Sequence, residues 1–380
     1  MPKSICAVTT VEITQSSFVI PAMKLLKQHG WEVTLICDMT PEFIDKYQDD
    51  FELINIPFHR GISIKDTIFM PFRLAKLFKK RKFDIVQYAT PNASLYSSIG
   101  ARLAGIKNRV YCQWGIRYVG CEGLMRQVLR LLEKFTCSNS TAIRPASKKN
   151  MAFAIDEHLY TADKAKVIGD GGTIGIDLNQ FDLNNKATLQ ESVYLEYPQL
   201  KDKTVFAFVG RLNIDKGIYE LLEAFTKLQQ KHLPIALLLI GNFDGELPAH
   251  LQLIRNSQNI ITTGWIEDVP KYLSVANVLI HPSYREGFSM VIQQAMAMAI
   301  PVITTDIPGP SEVIEDGKSG ILVRPKSSDS LYDAMEWTLG HESECLKMGA
   351  LGRQRCEKLF TRERMLRLTL EDREIIIQSK

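Results

Sequence analysis

The sequence has 380 residues, 45% apolar and 23% charged, the make-up of a globular protein with room for two full cores rather than of a disordered or fibrous chain. No apolar run approaches bilayer length, the longest lying at Leu233–Ile240, so no membrane-spanning helix is expected. The net charge of +3 conceals an imbalance: residues 1–170 hold 24 basic against 16 acidic side chains, residues 171–380 hold 22 against 27, and residues 71–150 hold 16 against 3. A basic first half points to an anionic partner there.

The seven cysteines are odd in number and scattered without a C-x-x-C pair, which suits buried thiols in a reducing compartment, not a disulfide framework or zinc site. No H-E-x-x-H or D-x-D run offers ligands, so no built-in metal is expected. The first residues, Met-Pro-Lys-Ser-Ile-Cys-Ala-Val, read as a strand rather than a basic leader with a long apolar core; a cytoplasmic location is expected.

In chain order, apolar runs predict strands at Ser4–Thr9, Glu32–Cys37, Phe51–Ile56, Asp84–Tyr88 and Arg109–Gln113. Helical periodicity fills the gaps at Pro21–His29, Arg73–Lys82 and Ala93–Leu103, with Gly30 and Gly105 as stop signals. The second half repeats the alternation: strands at Thr204–Val209, Ile235–Ile240, Ile260–Thr263, Val278–His281, Val302–Thr304 and Ile321–Val323, with a helix at Ile218–Gln229. The polar stretch Gly175–Lys186 reads as the linker, and the tail from Glu357 is charged and helical. Strand–helix alternation implies parallel sheets, so the expected fold is α/β, two Rossmann-like domains facing across a cleft. The expected bounds are 1–180, 181–360 and a helical tail, 361–380, packing back on the first domain.

Four constellations carry chemistry. Ser283–Ala297 runs from a strand through Glu286 and Gly287 into a new helix, whose first N–H groups and dipole favour an anion. Gln294 lies inside that helix, on side chains that tilt toward its N-terminus. Gly210-Arg211 with Lys216 places a planar fork and a compact cation in one post-strand loop, a pair suited to a diphosphate. Thr263–Asp268 puts Trp265 after a strand, and Thr304–Glu312 is a loop stiffened by proline and glycine. Each has a plainer reading: solvated cations, an acid complementing a helix dipole, a core tryptophan, a turn.

In their order and spacing these runs resemble one family. Phe208-Val-Gly-Arg-Leu, Asp215-Lys-Gly217, Leu239-Ile-Gly241, Gly264-Trp-Ile, Pro282-Ser-Tyr-Arg-Glu-Gly-Phe-Ser289, Ala295-Met-Ala, Pro301–Asp306 and Gly320-Ile-Leu-Val323 look like the retaining GT-B glycosyltransferases of the "glycosyl transferases group 1" family, capsule and O-antigen members among them. The likeness is dense over 204–330 and thinner before it, at Asp84–Pro91, Ala101–Gly105 and Gly175–Leu178.

The resemblance implies transfer of a sugar from a nucleotide donor, by default a UDP-sugar, to a glycan or polyprenyl-diphosphate-linked acceptor in bacterial surface polysaccharide synthesis. It also implies an acceptor-binding first domain and a donor-binding second. By position, Glu286 would be the catalytic acid beside the donor sugar. Arg211 and Lys216 would hold the diphosphate, Gly287, Phe288 and Ser289 would present backbone to sugar and phosphate, and Gly210, Gly241 and Met290 would also belong to the donor site. Trp265 and Ile266 would face the base, and position 294 the ribose. No cofactor and no metal are expected, the nucleotide sugar being a substrate. Departing from the family pattern, Gln294 stands where a second acid is usual and Trp114 where a histidine is usual, leaving Gln113, Trp114 and Arg117 as candidate sugar or acceptor contacts. Two rivals stay open: a GT-B nucleotide-sugar epimerase or hydrolase, and a non-catalytic nucleotide-sugar-binding paralogue.

The helical runs Arg73–Phe83 and Leu124–Phe135 mix apolar and basic residues. With the charge excess of 71–150 they predict weak adhesion to an anionic membrane, placing the protein peripherally on the inner face of the cytoplasmic membrane. No nucleic-acid module is present, and nucleic acid is not expected as a partner.

Overall fold

The computed structural model describes residues 2–59, 61, 63–245 and 257–378. Two compact units divide the chain: one comprises the residues up to Ile174 together with those from Glu363 onward, the other Gly175–Arg362. The boundary therefore lies between Ile174 and Gly175 rather than after residue 180, and the tail from residue 363 belongs to the first unit.

The first unit holds β1 (Ser4–Val11), α1 (Ile20–Gln28), β2 (Glu32–Asp38), α2 (Pro41–Tyr47), β3 (Glu52–Asn55) and α3 (Ile64–Arg81). It continues with β4 (Ile85–Tyr88), α4 (Pro91–Leu103), β5 (Asn108–Gln113), α5 (Gly123–Asn139), β6 (Ala142–Pro145) and α6 (Lys148–Asp156). The strands are parallel in the order β3-β2-β1-β4-β5-β6. Central β1 is buried at six consecutive positions, as a parallel strand covered by helices on both faces must be.

In the second unit, α7 (Lys186–Glu196) precedes β7 (Thr204–Val209), α8 (Ile218–Gln229), β8 (Ile235–Ile240), β9 (Ile260–Gly264), α9 (Val269–Leu273) and β10 (Val278–His281). Then follow α10 (Met290–Ala297), β11 (Val302–Thr305), α11 (Pro310–Val313), β12 (Gly320–Val323), α12 (Ser328–Gly340) and α13 (Glu342–Leu359); α14 (Arg362–Gln378) closes the chain and, from Glu363, belongs to the first unit. The parallel sheet runs β12-β11-β10-β7-β8-β9, the same doubly wound order as the first. α8 turns Ile218, Leu221, Leu222, Phe225 and Leu228 inward at helical spacing, closing one core over β7 and β8.

Sequence expectation and structure part company at three places. Helix α3 starts nine residues before the expected Arg73, at Ile64. The Ser63 hydroxyl caps it by accepting the Asp66 N–H at 3.2 Å, and the helix runs through Pro71, which reads as a breaker. Strand β6 was not expected; it is short, ends in Pro145 and closes the sheet edge beside β5, with a single bridge from Ala165 to Ile143 on its other side. The tail is two helices, broken at Phe360–Thr361, where Ile176 and Arg362 exchange main-chain bonds with residues 360 and 176 at 2.8 Å. Beyond the break, α14 buries Met365, Thr369, Asp372, Arg373 and Ile376 in the first unit. Arg373 Nε and Nη2 donate to Gln87 Oε1 at 2.9 and 2.7 Å, and Arg144 Nε to both Asp372 oxygens at 2.9 Å. Burial pushes the Asp372 carboxyl up, but Arg373 and Arg144 outweigh it and hold the group below the usual range.

Candidate functional site

In the second unit the sheet order reverses between β7 and β10, and the crevice beyond their carboxyl ends is where a doubly wound sheet takes a ligand. Two post-strand loops meet there. Leaving β7, Asn213 accepts the Lys216 N–H at 3.2 Å and closes a tight turn at Ile214–Lys216. Gly217 then adopts φ +71°, and a Cβ on it would lie 2.1 Å from the Pro282 carbonyl oxygen. Only glycine lets the two loops press this closely. The seam is sewn by Tyr284 N–H to the Asp215 carbonyl at 2.9 Å and by Arg285 Nη2 to Asp215 Oδ2 at 2.6 Å. Together they bring Lys216 onto Glu286.

Glu286 is largely withdrawn from water, its side chain 17% exposed. Lys216 Nζ is ion-paired to Glu286 Oε1, the Ser283 hydroxyl donates to the same oxygen at 3.2 Å, and His281 Nε2 lies 3.3 Å from it. Burial pushes the carboxyl up; Lys216 and His281 oppose that and win, so Glu286 stays ionised far below the usual carboxylate range. His281 is buried at the end of β10. Its Nδ1 lies 3.2 Å from Thr304 Oγ1, and that hydroxyl donates to the His281 carbonyl at 2.9 Å. Nε2 also lies 3.0 Å from Ser289 Oγ, which caps α10 by accepting the Ile292 N–H.

The other expected residues distribute around this core. Gly241 (φ +142°) ends β8 with its Cα so near Gly210 that a Cβ would fall 1.9 Å from the Gly210 oxygen. Arg211 does not join Glu286. Its exposed guanidinium pairs with Asp244 at 2.7 Å, a partner it shares with Asn213. Trp265 is not core: its ring is open to solvent at 69% exposure, while its main-chain N–H donates to Asn242 Oδ1 at 3.0 Å, and Ile266 is half-buried. Gly287 is buried under the Gly309 turn, and Phe288 packs edge-on against Phe360, so at position 288 the backbone rather than the ring is available. Met290 and Gln294 are half-buried on α10; the buried glutamine is its neighbour Gln293.

In the first unit, Gln113 departs from its expected role. It is buried, its amide donating to Glu133 at 2.6 Å and its carbonyl accepting from Tyr160 at 2.9 Å, so neither end reaches a surface where a sugar could arrive. Trp114 is half-buried against Phe18, and Arg117 is exposed. Gln87 and Tyr88, within the thinner run of likeness at Asp84–Pro91, are structural here: one holds Arg373, the other bonds Ser140 at 2.7 Å. Among the described residues no group of three or more His, Cys, Asp or Glu side chains could hold a metal ion.

Comparison with known proteins gives two family matches. The "Glycosyl transferases group 1" model matches residues 196–355, which span every candidate of the second unit, and the "Glycosyl transferase 4-like" model matches 4–147. Residues 196–355 thus carry the glycosyl transferases group 1 region and residues 4–147 the glycosyl transferase 4-like region. It is 29% identical over 350 residues, 90% of each chain, to the capsular polysaccharide biosynthesis glycosyltransferase CapM of Staphylococcus aureus. It is 26% identical over 82% of its length and 81% of the relative's to the UDP-Gal:alpha-D-GlcNAc-diphosphoundecaprenol alpha-1,3-galactosyltransferase of Escherichia coli. Among solved structures, a Rickettsia africae glycosyltransferase superposes with TM-score 0.79 at 18% identity over all of both chains. Anabaena Alr3699/HepE with UDP gives 0.77 at 15%, over 98% of this chain and 100% of that one. The fold is GT-B.

Within this glycosyltransferase, sequence reasoning missed His281 and Ser283. Both stand in the run His281-Pro282-Ser283 that opens the motif, so a polar residue ending an otherwise apolar strand, next to an expected acid, was the available signal.

Proposed function

We propose that this glycosyltransferase transfers a sugar, with retention of anomeric configuration and without a metal ion, from a nucleotide donor bound at the carboxyl ends of β7, β8 and β10. UDP-sugar is the preferred donor, in keeping with the UDP-sugar named for the Escherichia coli relative and the UDP in the Anabaena structure. The acceptor is a lipid-linked sugar or glycan of a bacterial surface polysaccharide such as capsule, the process named for the Staphylococcus relative. A peripheral station on the inner membrane face, through the basic residues 71–150, completes the reading.

The observation that carries it is the ionised, largely water-shielded Glu286 with Lys216 on it, at the switch point of the sheet. A carboxylate is acceptor-only, so Glu286 can orient sugar hydroxyls and stabilise positive charge growing at the anomeric carbon. Lys216 can turn one of its three N–H donors to the diphosphate, drawing off charge as the nucleotide departs, and Arg211 adds a second cation from the same loop. His281 and Ser283 keep the Glu286 carboxylate in place while Lys216 is shared. Attack by the acceptor hydroxyl on the face the phosphate leaves passes its proton to the leaving phosphate oxygen, so no second protein carboxylate is needed. Trp265 offers the base a flat face, the α10 N-terminus meets phosphate, and Gln294 meets ribose hydroxyls.

Release of nucleoside diphosphate from a panel of nucleotide sugars, with and without membrane-lipid acceptor, tests the reading. Release that needs acceptor supports it; equal release without acceptor would replace it with a hydrolase.

A further inference from the structure

In the first unit α4 is covered: residues 93–98, 100 and 101 are buried beneath its neighbours. Leu74 and Phe78 of α3, Tyr96 of α4 and Leu129 of α5 share one core on one face of the sheet, so the three helices form one layer with α3 and α5 outermost. Of the nineteen large apolar side chains exposed among the described residues, eleven lie between residues 64 and 135. On α3, Ile64, Ile68, Phe69 and Phe72 point away from the face that buries Leu74 and Phe78; Ile64 is 77% exposed. On α5, Leu124, Val128, Leu131 and Phe135 recur at 4-3-4 spacing as one seam opposite Leu129, and Leu124 is 80% exposed. Patches of this kind mark an interaction surface. Residues 64–135 carry 14 basic against 4 acidic side chains, and Lys65, Lys76 and Lys79 lie in the same sector of α3 as Ile68 and Phe72.

We propose that the outer faces of α3 and α5 dock on an anionic lipid bilayer by inserting these apolar side chains below the headgroups. This deepens the membrane part of the reading above by naming the side chains that enter the bilayer, and is independent of the reaction chemistry. Charge selects the occupant. A second copy meeting this patch by two-fold symmetry would set the same lysines against one another, whereas anionic headgroups neutralise them while their stems lie along the apolar surface.

The test is vesicle binding of the full chain, without donor or acceptor, on phosphatidylcholine vesicles with and without phosphatidylglycerol. Wild-type protein is expected to bind the anionic vesicles and to keep part of that binding at 0.5 M salt (roughly a 4 Å screening length). Phe69→Ser with Phe72→Ser, and Leu124→Ser with Leu131→Ser, should each weaken partitioning by about tenfold, while Leu195→Ser, exposed in the second unit, changes nothing. Phe72→Trp, which keeps the apolar bulk, should show a blue-shifted emission on anionic vesicles. Variants that bind like wild type, with no blue shift, would overturn the insertion and leave electrostatic adhesion standing. Wild-type protein that ignores all vesicles would remove the membrane part of the reading as well. A dimer in solution that the serine variants dissolve would give the surface to a second copy.

Discussion

Glu133 and Glu286 are both carboxylates withdrawn from water in α/β units of the same strand order, yet the balance of burial and neighbours shifts them in opposite directions. Around Glu133 the donors are neutral: the Tyr111 hydroxyl at 2.9 and 3.2 Å and the Gln113 amide at 2.6 Å. Burial raises its pKa, and these hydrogen bonds offset the rise only in part. Around Glu286 stand Lys216 and His281, and the net shift is downward. Burial alone therefore does not mark the working acid. What distinguishes Glu286 is a lysine brought onto it from a separate loop, at the sheet's switch point, beside a helix N-terminus.

Four experiments would break or sharpen that contrast. Glu286→Gln keeps the shape and removes the charge; turnover should fall by about 10²–10³, whereas Glu133→Gln should leave turnover within about threefold, because an amide oxygen can still accept from Tyr111 and Gln113. Equal losses in acceptor-dependent turnover would erase the distinction. Glu133→Ala should instead cost about 2–3 kcal/mol of stability by stranding two buried donors, read by urea unfolding.

The two residues should also differ in sign against pH. A depressed folded pKa makes Glu286 stabilising above the unfolded value near about 4.3, with that contribution lost as pH falls below it. A raised folded pKa makes Glu133 neutral in effect at low pH and destabilising as pH rises from the unfolded value through the folded one. Comparing stability–pH curves, Glu286→Gln should remove an acid-side loss and Glu133→Gln an alkaline-side one; identical slopes in both variants would contradict the assignment.

Smaller effects belong to the periphery of the site. Trp265→Ala should raise donor KM by about fivefold to tenfold, the value of one base-stacking contact, with kcat little changed. Gln294→Glu should alter donor affinity by no more than about threefold, a single charge or amide still in contact with solvent being worth little; donor-dependence kinetics read the first and titration with the nucleoside diphosphate the second.

Much of this contrast was legible in the sequence. The bounds of β7, α8, β8 and β10 match their apolar runs to the residue, because fully buried parallel strands and a strongly amphipathic helix leave little freedom. Pro71 hid the first turns of α3, since packing against α4 outweighs one missing hydrogen bond. The cluster at Glu286 was half visible. Its motif announced the acid and Lys216, but His281 becomes a partner only when β10 and β11 align their ends. Arg211 was read as a phosphate ligand from its loop alone, and its pairing with Asp244 depends on a loop after β8 that no local pattern reports. Gln113 misled because its strand position resembled a site while the buried acid it serves lies on α5.

The most direct test of the central claim is amide hydrogen exchange with and without a nucleotide-sugar donor that the protein turns over. Donor should slow exchange at residues 210–217, 264–266 and 283–294 and leave residues 111–136 unchanged. Protection confined to 111–136, with none at 283–294, would place the donor at the wrong carboxylate and contradict the account.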